Sequence, residues 1–286
     1  MNFIKKNILS LIFLFFISIS YSQNYAGDSL RGNFTYLLQS KPNKLDQDFV
    51  YKELFSLQIS DQHAFFISEK LLEYDSVFAK EFNTSITKSG GDNIIDFRGK
   101  SFPKIQSDFV IIQTNDIIKY YSYVGISVLH YNTPVIKNWK LVNETQIINT
   151  LKCKKAEVNF KGRDWVAWYA TEIPFPYGPF KFSGLPGLIV KISDNTGDYS
   201  FELIKSTSNF VMKGKIIKIN KSRYVNSTLV TKQELKKANE VFRENLINSS
   251  ESMGVVLTPE QKENLHQRKK QSEIEKKKYN PLELED

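Results

Sequence analysis

The chain has 286 residues, 41% of them hydrophobic and 24% charged, with a formal net charge of +8. That composition is globular and supplies ample material for a core, which sets a disordered chain aside. Two of the basic residues, Lys5 and Lys6, lie at the N-terminus and many others in the last fifty residues. They form no compact patch interleaved with aromatics, so the charge does not argue for nucleic acid.

Residues 1–22 read as a cleavable secretory leader. Lys5 and Lys6 precede an apolar run over 8–19, and Ser20 and Ser22 supply the small residues before a cleavage point after Ser22. The run is short for a permanent membrane anchor. The mature protein, starting at Gln23, is expected to be soluble in the periplasm or outside the cell, without a stable membrane anchor. Cys153 is the single cysteine, so an internal disulfide is impossible and stability must come from the core. Cys153 itself reads as a small buried hydrophobe.

In chain order, residues 33–60 hold two extended segments, "NFTYLLQS" and "YKELFSLQIS". The spacing of Leu71, Leu72, Val77, Phe78 and Phe82 predicts a helix over 68–82, followed by a polar loop over 83–93. "DFVIIQT" and "IIKYYSYVG" read as strands joined at Asn115-Asp116. From Trp139 a meander begins, with a hairpin over 152–172 turning at Lys161-Gly162-Arg163. Residues 174–187 carry four prolines and alternate with Phe175, Tyr177, Phe180 and Phe182. Such a segment is no central strand and should pack onto the domain as a stiff loop.

At its end, Pro186 and Gly187 suit a type II corner, with positive φ at Gly187. A second hairpin is expected over 188–205 and a further strand over 214–219. Thr231 and Glu234 match a capping box for a helix over 231–248, whose Leu235, Ala238, Phe242 and Leu246 share a face. Thr258, Pro259 and Gln261 start a last, almost wholly charged helix.

Catalytic signals are sparse. His63 and His130 lie in strand-like segments and read as structural. Gly27-Asp28-Ser29-Leu30 spells the serine motif of an esterase family, with Glu263 and His266 as conceivable partners. The motif lacks a preceding buried strand, and the histidine lies on a polar helix, so serine catalysis is disfavoured. No pattern points to a metal or a cofactor. Asp28-Ser29-Leu30 and Asp75-Ser76-Val77 resemble short O-glycosylation sites of exported Bacteroidetes proteins.

The run "CKKAEVNFKGRDWVAWYATEIPFPYGPFKFSGLPGLI", with Trp139 upstream and "YNPLEL" at the end, resembles the GLPGLI family of exported Bacteroidetes proteins. The resemblance is specific over 139–205. It implies a cell-envelope protein without a settled activity and, by association, a partner near TonB-dependent outer-membrane receptors. It brings no catalytic residue.

The fold expected is α+β and mostly antiparallel: a curved meander sheet with packed helices and a polar C-terminal helix. The organisation expected is a leader over 1–22, one β-rich domain over 23–250 and a charged helix and tail over 251–286. Gly184, Leu185, Pro186, Gly187, Leu188 and Ile189 are the conformational motif. Trp165, Trp168, Phe175, Tyr177 and Phe180 are the aromatics for packing or for lining a groove. The functional expectation is a non-enzymatic envelope binding protein. The alternatives are a periplasmic carrier of an apolar or peptide ligand, held between a curved sheet and the 231–248 helix, and, behind it, a hydrolase. N-terminal sequencing of the exported protein should begin at Gln23; an intact leader would count against export.

Overall fold

The computed structural model describes residues 29–88, 97, 99–207, 214–252 and 254–285. The expected leader and the end of the expected polar loop, 89–93, lie outside them. The described strands are β1 (Gly32–Ser40), β2 (Tyr51–Ile59), β3 (Ala64–Ser68), β4 (Phe109–Gln113), β5 (Ile117–Val124), β6 (Ser127–Pro134), β7 (Lys140–Ile148), β8 (Leu151–Phe160), β9 (Arg163–Ala170), β10 (Leu188–Asp194), β11 (Tyr199–Thr207) and β12 (Thr228–Leu229). The helices are α1 (Glu69–Lys88), α2 (Lys232–Glu244), α3 (Leu246–Ser252) and α4 (Pro259–Lys276). All the strands form one sheet, in the order β12-β6-β5-β4-β3-β2-β1-β11-β10-β9-β8-β7. Every pairing is antiparallel except β12 with β6. This is the expected α+β fold with a curved meander sheet.

The curvature follows from connectivity. Nine strands separate β6 from β7 in the sheet, a span of roughly 48 Å if it were flat. Yet only residues 135–139 join them, and such a link reaches about 22 Å at most. The two halves of the sheet must therefore curl toward each other. The seam between the halves is the β1–β11 pairing, with a bulge between Thr35 and Tyr36 that adds local bend.

Two apolar layers result. The inner one joins Phe34, Tyr36, Phe55, Leu57, Phe66 and Ile111 to Trp165, Ile192 and Phe201. The outer one joins Phe65, Ile67, Val110 and Ile112 to Leu71 of α1 and to Ile217, Ile219 and Tyr224. β3 is buried along its whole length. Covered on both faces, it has no polar alternation in its sequence to announce a strand.

The tight hairpins follow their turn residues. Lys161 and Gly162 have φ of 51° and 78°, as do Asn149 and Thr150 at 48° and 70°. Positive φ at both central positions is the two-residue turn whose twist matches the flanking strands.

Four expectations are corrected. First, α1 runs on through Lys88, so 83–88 is helix rather than loop; Thr84 returns its hydroxyl to the Lys80 carbonyl at 2.8 Å. Second, residues 214–219 form no ladder strand. Ile216 makes a single bridge to Ser29, and the Lys218 amide donates to the Gln58 side chain at 2.9 Å. The segment crosses the outer face of the sheet instead of joining an edge. Third, the 231–248 helix breaks at Asn245, whose side chain donates to the Val241 carbonyl at 3.0 Å. Its Thr231–Glu234 capping box is present.

Fourth, Gly187 does not carry positive φ. Its amide donates to the Leu185 carbonyl at 2.8 Å, closing a three-residue turn centred on Pro186, whose ring fixes the φ of the inverse form. Glycine is needed at 187 for space: a Cβ there would lie 2.3 Å from the Ala170 carbonyl oxygen. Positive φ falls at Gly184 instead, at 92°, where a Cβ would also lie 2.5 Å from the Ile136 oxygen. Gly184→Ala and Gly187→Ala should each cost about 1–3 kcal/mol in urea unfolding. Pro186→Ala should cost about 1 kcal/mol or less. The reverse order would show that the hexapeptide is not held by these close approaches.

Candidate functional site: an aromatic cleft closed by the C-terminal segment

The proline-rich loop, 173–187, fills part of the space inside the curl. The Gly184 amide donates to the Pro176 carbonyl at 2.9 Å and the Ile189 amide to the Tyr177 carbonyl at 3.1 Å. Tyr36 donates its hydroxyl to the Ile189 carbonyl at 2.6 Å. From the β12–β1 half of the sheet, to which Tyr36 also belongs, the Gln113 amide nitrogen donates to the carbonyls of Gly178 and Phe180 at 2.8 and 2.6 Å. Trp139 donates its indole N–H to the Ser183 carbonyl at 2.9 Å. The loop is thus pinned from both sides, which is what its prolines and buried aromatics imply.

The space left over is a cleft of about 1040 Å³. A ladder of rings runs along its sheet wall. Phe55 and Phe109 are 6.0 Å apart, Phe109 and Tyr120 are 5.1 Å apart, and Tyr120 and Tyr131 are 5.1 Å apart, all stacked. Phe180, Tyr199 and Phe201 complete the apolar wall, and Leu235 and Asn239 of α2 face it. The last residues of the chain, including Tyr279, Leu282 and Leu284, line it too, and Ser40, Asn43, Gln106, Ser107 and Ser122 give it a polar margin.

Lys181 stands at the Tyr131 end of the ladder, 2% exposed. Its ammonium lies 5.3, 5.0 and 4.9 Å from the ring centres of Tyr120, Tyr131 and Phe180, within cation–π range. It donates to the Tyr131 hydroxyl at 2.7 Å and to Glu283 Oε1. The other Glu283 oxygen lies 2.8 Å from Lys232 Nζ. Burial pushes the Lys181 ammonium down to about 8, against the pull of Glu283. Burial works to raise the Glu283 carboxyl, but the Lys181 charge and hydrogen bonds from both lysines outweigh it and hold it below its ordinary value. Phe180, next to Lys181, has φ of 53°, a strained conformation for a side chain of its bulk.

Glu283 is delivered by a second buried network. Arg163 donates to Asp194 at 2.6 Å and Asp198 at 3.2 Å, and to the Asn280 side-chain oxygen at 2.6 Å and the Pro281 carbonyl at 2.8 Å. Asn280 donates onward to the Lys41 carbonyl and Asp198, both at 3.0 Å, and its own carbonyl accepts from the Tyr199 hydroxyl. Further along, the Leu284 amide donates to the Lys161 carbonyl at 2.9 Å. Residues 278–285 are therefore laid across the sheet as a strap beyond α4.

Of the five expected aromatics, Phe180 lines the cleft. Trp165 and Tyr177 are buried in the core, and Trp168 and Phe175 pack partly buried at its margin. Lys181 and Glu283 were missed, although both lie within quoted motifs, "FKFSGLPGLI" and "YNPLEL". The signal available was a lysine between two phenylalanines in a proline-stiffened loop. Cys153 is fully buried, and burial pushes its thiol up to about 11. His130 stacks on its cross-strand partner Tyr121 at 5.0 Å; burial, aided by Lys119, lowers its pKa. Glu263 accepts from Gln267 at 2.6 Å on α4. Ser29 bridges to Ile216, while Gly27 and Asp28 lie outside the described residues.

These features define a class: a curled, open antiparallel sheet enclosing an aromatic cleft that the C-terminal segment closes. Over residues 112–191, from β4 through the 184–189 hexapeptide into β10, the chain matches a family described as "Protein of unknown function (Porph_ging)". No curated protein matches. Two solved structures of PNGF-II, in the C2 and P21 space groups, are similar with TM-scores of 0.48 and identities of 14% and 15% over 74% and 75% of this chain. This chain spans 33% and 34% of the length of those structures. An uncharacterized conserved protein from Thermus thermophilus is similar at a TM-score of 0.30 and 8% identity, over 69% of this chain and 89% of that one.

The strap can be tested in two ways. Arg163→Met leaves Asp194 buried without its cation and should cost about 3–5 kcal/mol in urea unfolding, with faster hydrogen exchange at the Asn280 and Leu284 amides. Unchanged exchange there would show that the strap is held some other way. The second test concerns acid. A carboxyl whose folded pKa is depressed contributes stability that is present above its unfolded value, about 4.3 for Glu, and is lost as the pH falls through the folded value. Wild-type stability should therefore drop as the pH falls below about 4, and Glu283→Gln should flatten that drop, read as urea midpoints against pH.

Proposed function

We propose that this chain is an exported, non-enzymatic binding protein of the cell envelope that carries an apolar ligand in the cleft between the curled sheet, α2 and the C-terminal strap. The observation that carries this reading is the cleft itself. At about 1040 Å³ it lies at the upper end of ligand sites, which run to roughly 1,000 Å³, and it sets a wall of aromatic rings against a polar margin of lysines, serines and amides. A sheet built only for stability would close such a space, because unfilled apolar surface forfeits packing. Export rests on the leader-like residues 1–22. The hexapeptide at 184–189, inside the matched segment, supports placing the chain with the GLPGLI proteins, and an outer-membrane receptor as partner rests on that family association.

The test is a neutral apolar dye, Nile red, titrated with the mature protein. Saturable binding with enhanced fluorescence is expected. Asn239→Trp, which adds bulk to the α2 wall without removing an apolar residue, should weaken it at least tenfold, about 1.4 kcal/mol, at an unchanged melting temperature. No saturable binding, or equal binding by the variant, would overturn the reading.

A further inference from the structure

Taking the cleft as a ligand site, we propose that its ligand is an acyl-chain amphiphile with a carboxylate head, and that Glu283 of the strap occupies the head site in its place. The charge around the cleft points this way. Lys181, Lys232, Lys236 and Lys278 line it, against Glu283 as the one carboxylate lining it among the described residues. The other carboxylates buried on this side of the sheet are taken up: Glu53 by the hydroxyls of Tyr51, Ser68 and Ser107 at 2.9, 2.7 and 2.7 Å, and Asp194 by Arg163 at 2.6 Å.

The geometry is that of a built site. A cation kept 2% exposed is costly unless something anionic meets it. Tyr131 supplies an acceptor at 2.7 Å and three ring faces surround the ammonium, but none of these neutralises its charge. The Glu283 carboxylate does so. Leu282 and Leu284, on either side of it, lie in the cleft as well. The strap thus presents a carboxylate between apolar side chains, the pattern that an acyl carboxylate would present. The ring ladder starts beside Lys181 and leads away along the sheet through Tyr131, Tyr120, Phe109 and Phe55. A chain laid on that ladder puts its head at the lysine. Glu283, released from Lys181, keeps Lys232 as a partner at 2.8 Å, so exchange strands neither charge.

The test is displacement of Nile red by laurate and by lauramide, which share a chain and differ in head charge. In the wild type, laurate should displace the dye at a concentration about tenfold lower than lauramide. Glu283→Gln, which empties the site of its resident charge, should widen that preference several-fold, and Lys181→Met should abolish it while lauramide still displaces. Tyr131→Phe, milder than the lysine variant, should narrow the preference. Equal displacement by the two compounds in the wild type overturns the carboxylate head and leaves the apolar cleft standing. A preference that Glu283→Gln does not widen overturns the stand-in role of the strap. Absence of Nile red binding would instead sink the cleft reading on which the inference rests.

Discussion

One guanidinium, that of Arg163, holds together parts of the chain that are far apart in sequence. It sits at the start of β9, directly after a two-residue turn, and reaches the β10–β11 turn through Asp194 and Asp198 and the C-terminal strap through Asn280 and Pro281. Its plane also lies over the Tyr199 ring at 4.9 Å. Removing such a group from water is expensive, and the expense is offset only when nearly every N–H finds an acceptor. Here the acceptors are two carboxylates, an amide oxygen and a main-chain carbonyl, which leaves the guanidinium little freedom to repack. The position of the strap, and with it of Glu283, depends on that fixed geometry.

The curl imposes a second constraint that reaches the same place. A sheet this wide, joined across its opening by residues 135–139, encloses more volume than its own side chains fill. The proline-rich loop takes up part of the excess, with Tyr177, Phe180, Phe182 and Leu185 buried inside. Proline suits the task because the loop has few ladder partners to donate to and loses less conformational freedom on ordering. Gly184 and Gly187 let its backbone pass against Ile136 and Ala170 at distances that no side chain would tolerate. What loop and strap together leave open is the cleft.

Much of the fold was legible in the sequence because it is locally encoded. Alternation marked β8 and β9, Lys161-Gly162 marked their turn, and Thr231 with Glu234 marked the start of α2. β3 read only as a strand-like stretch beside His63, with no period to fix its faces, because burial on both faces erases the alternation. The 214–219 segment misled because Ile217 and Ile219 alternate as a strand would, yet their partner is the outer apolar layer rather than a neighbouring strand. The candidate site was harder still. Its cation and its carboxylate are separated by about a hundred positions (Lys181 and Glu283), and nothing local to either says that they meet. The C-terminal stretch read as a solvated charged segment, as α4 is, and the change of role at residue 278 is carried by Asn280 and Arg163 together rather than by composition.

The places where local rules are broken converge. Phe180 adopts a left-handed backbone that its side chain disfavours, Lys181 is buried as a cation, and Glu283 is buried as an anion. Elsewhere, positive φ among the described residues falls mostly on glycines and on exposed or half-buried turn positions, and the other buried charges, among them Glu53, Arg163, Asp194 and Arg223, are each held by hydrogen-bonding partners. A fold that needed only stability would do as well with a leucine at 181 facing the rings, since a buried ion pair is rarely worth more than the packing it displaces. Strain and desolvated charge that meet at one end of a ring-lined cleft are the signature of a site kept for what it binds. The aromatic ladder gives that site a direction, from the lysine end at Tyr131 toward Phe55, where the Glu53 carboxylate is already taken up by hydroxyls, and a direction distinguishes an amphiphile from a featureless oil.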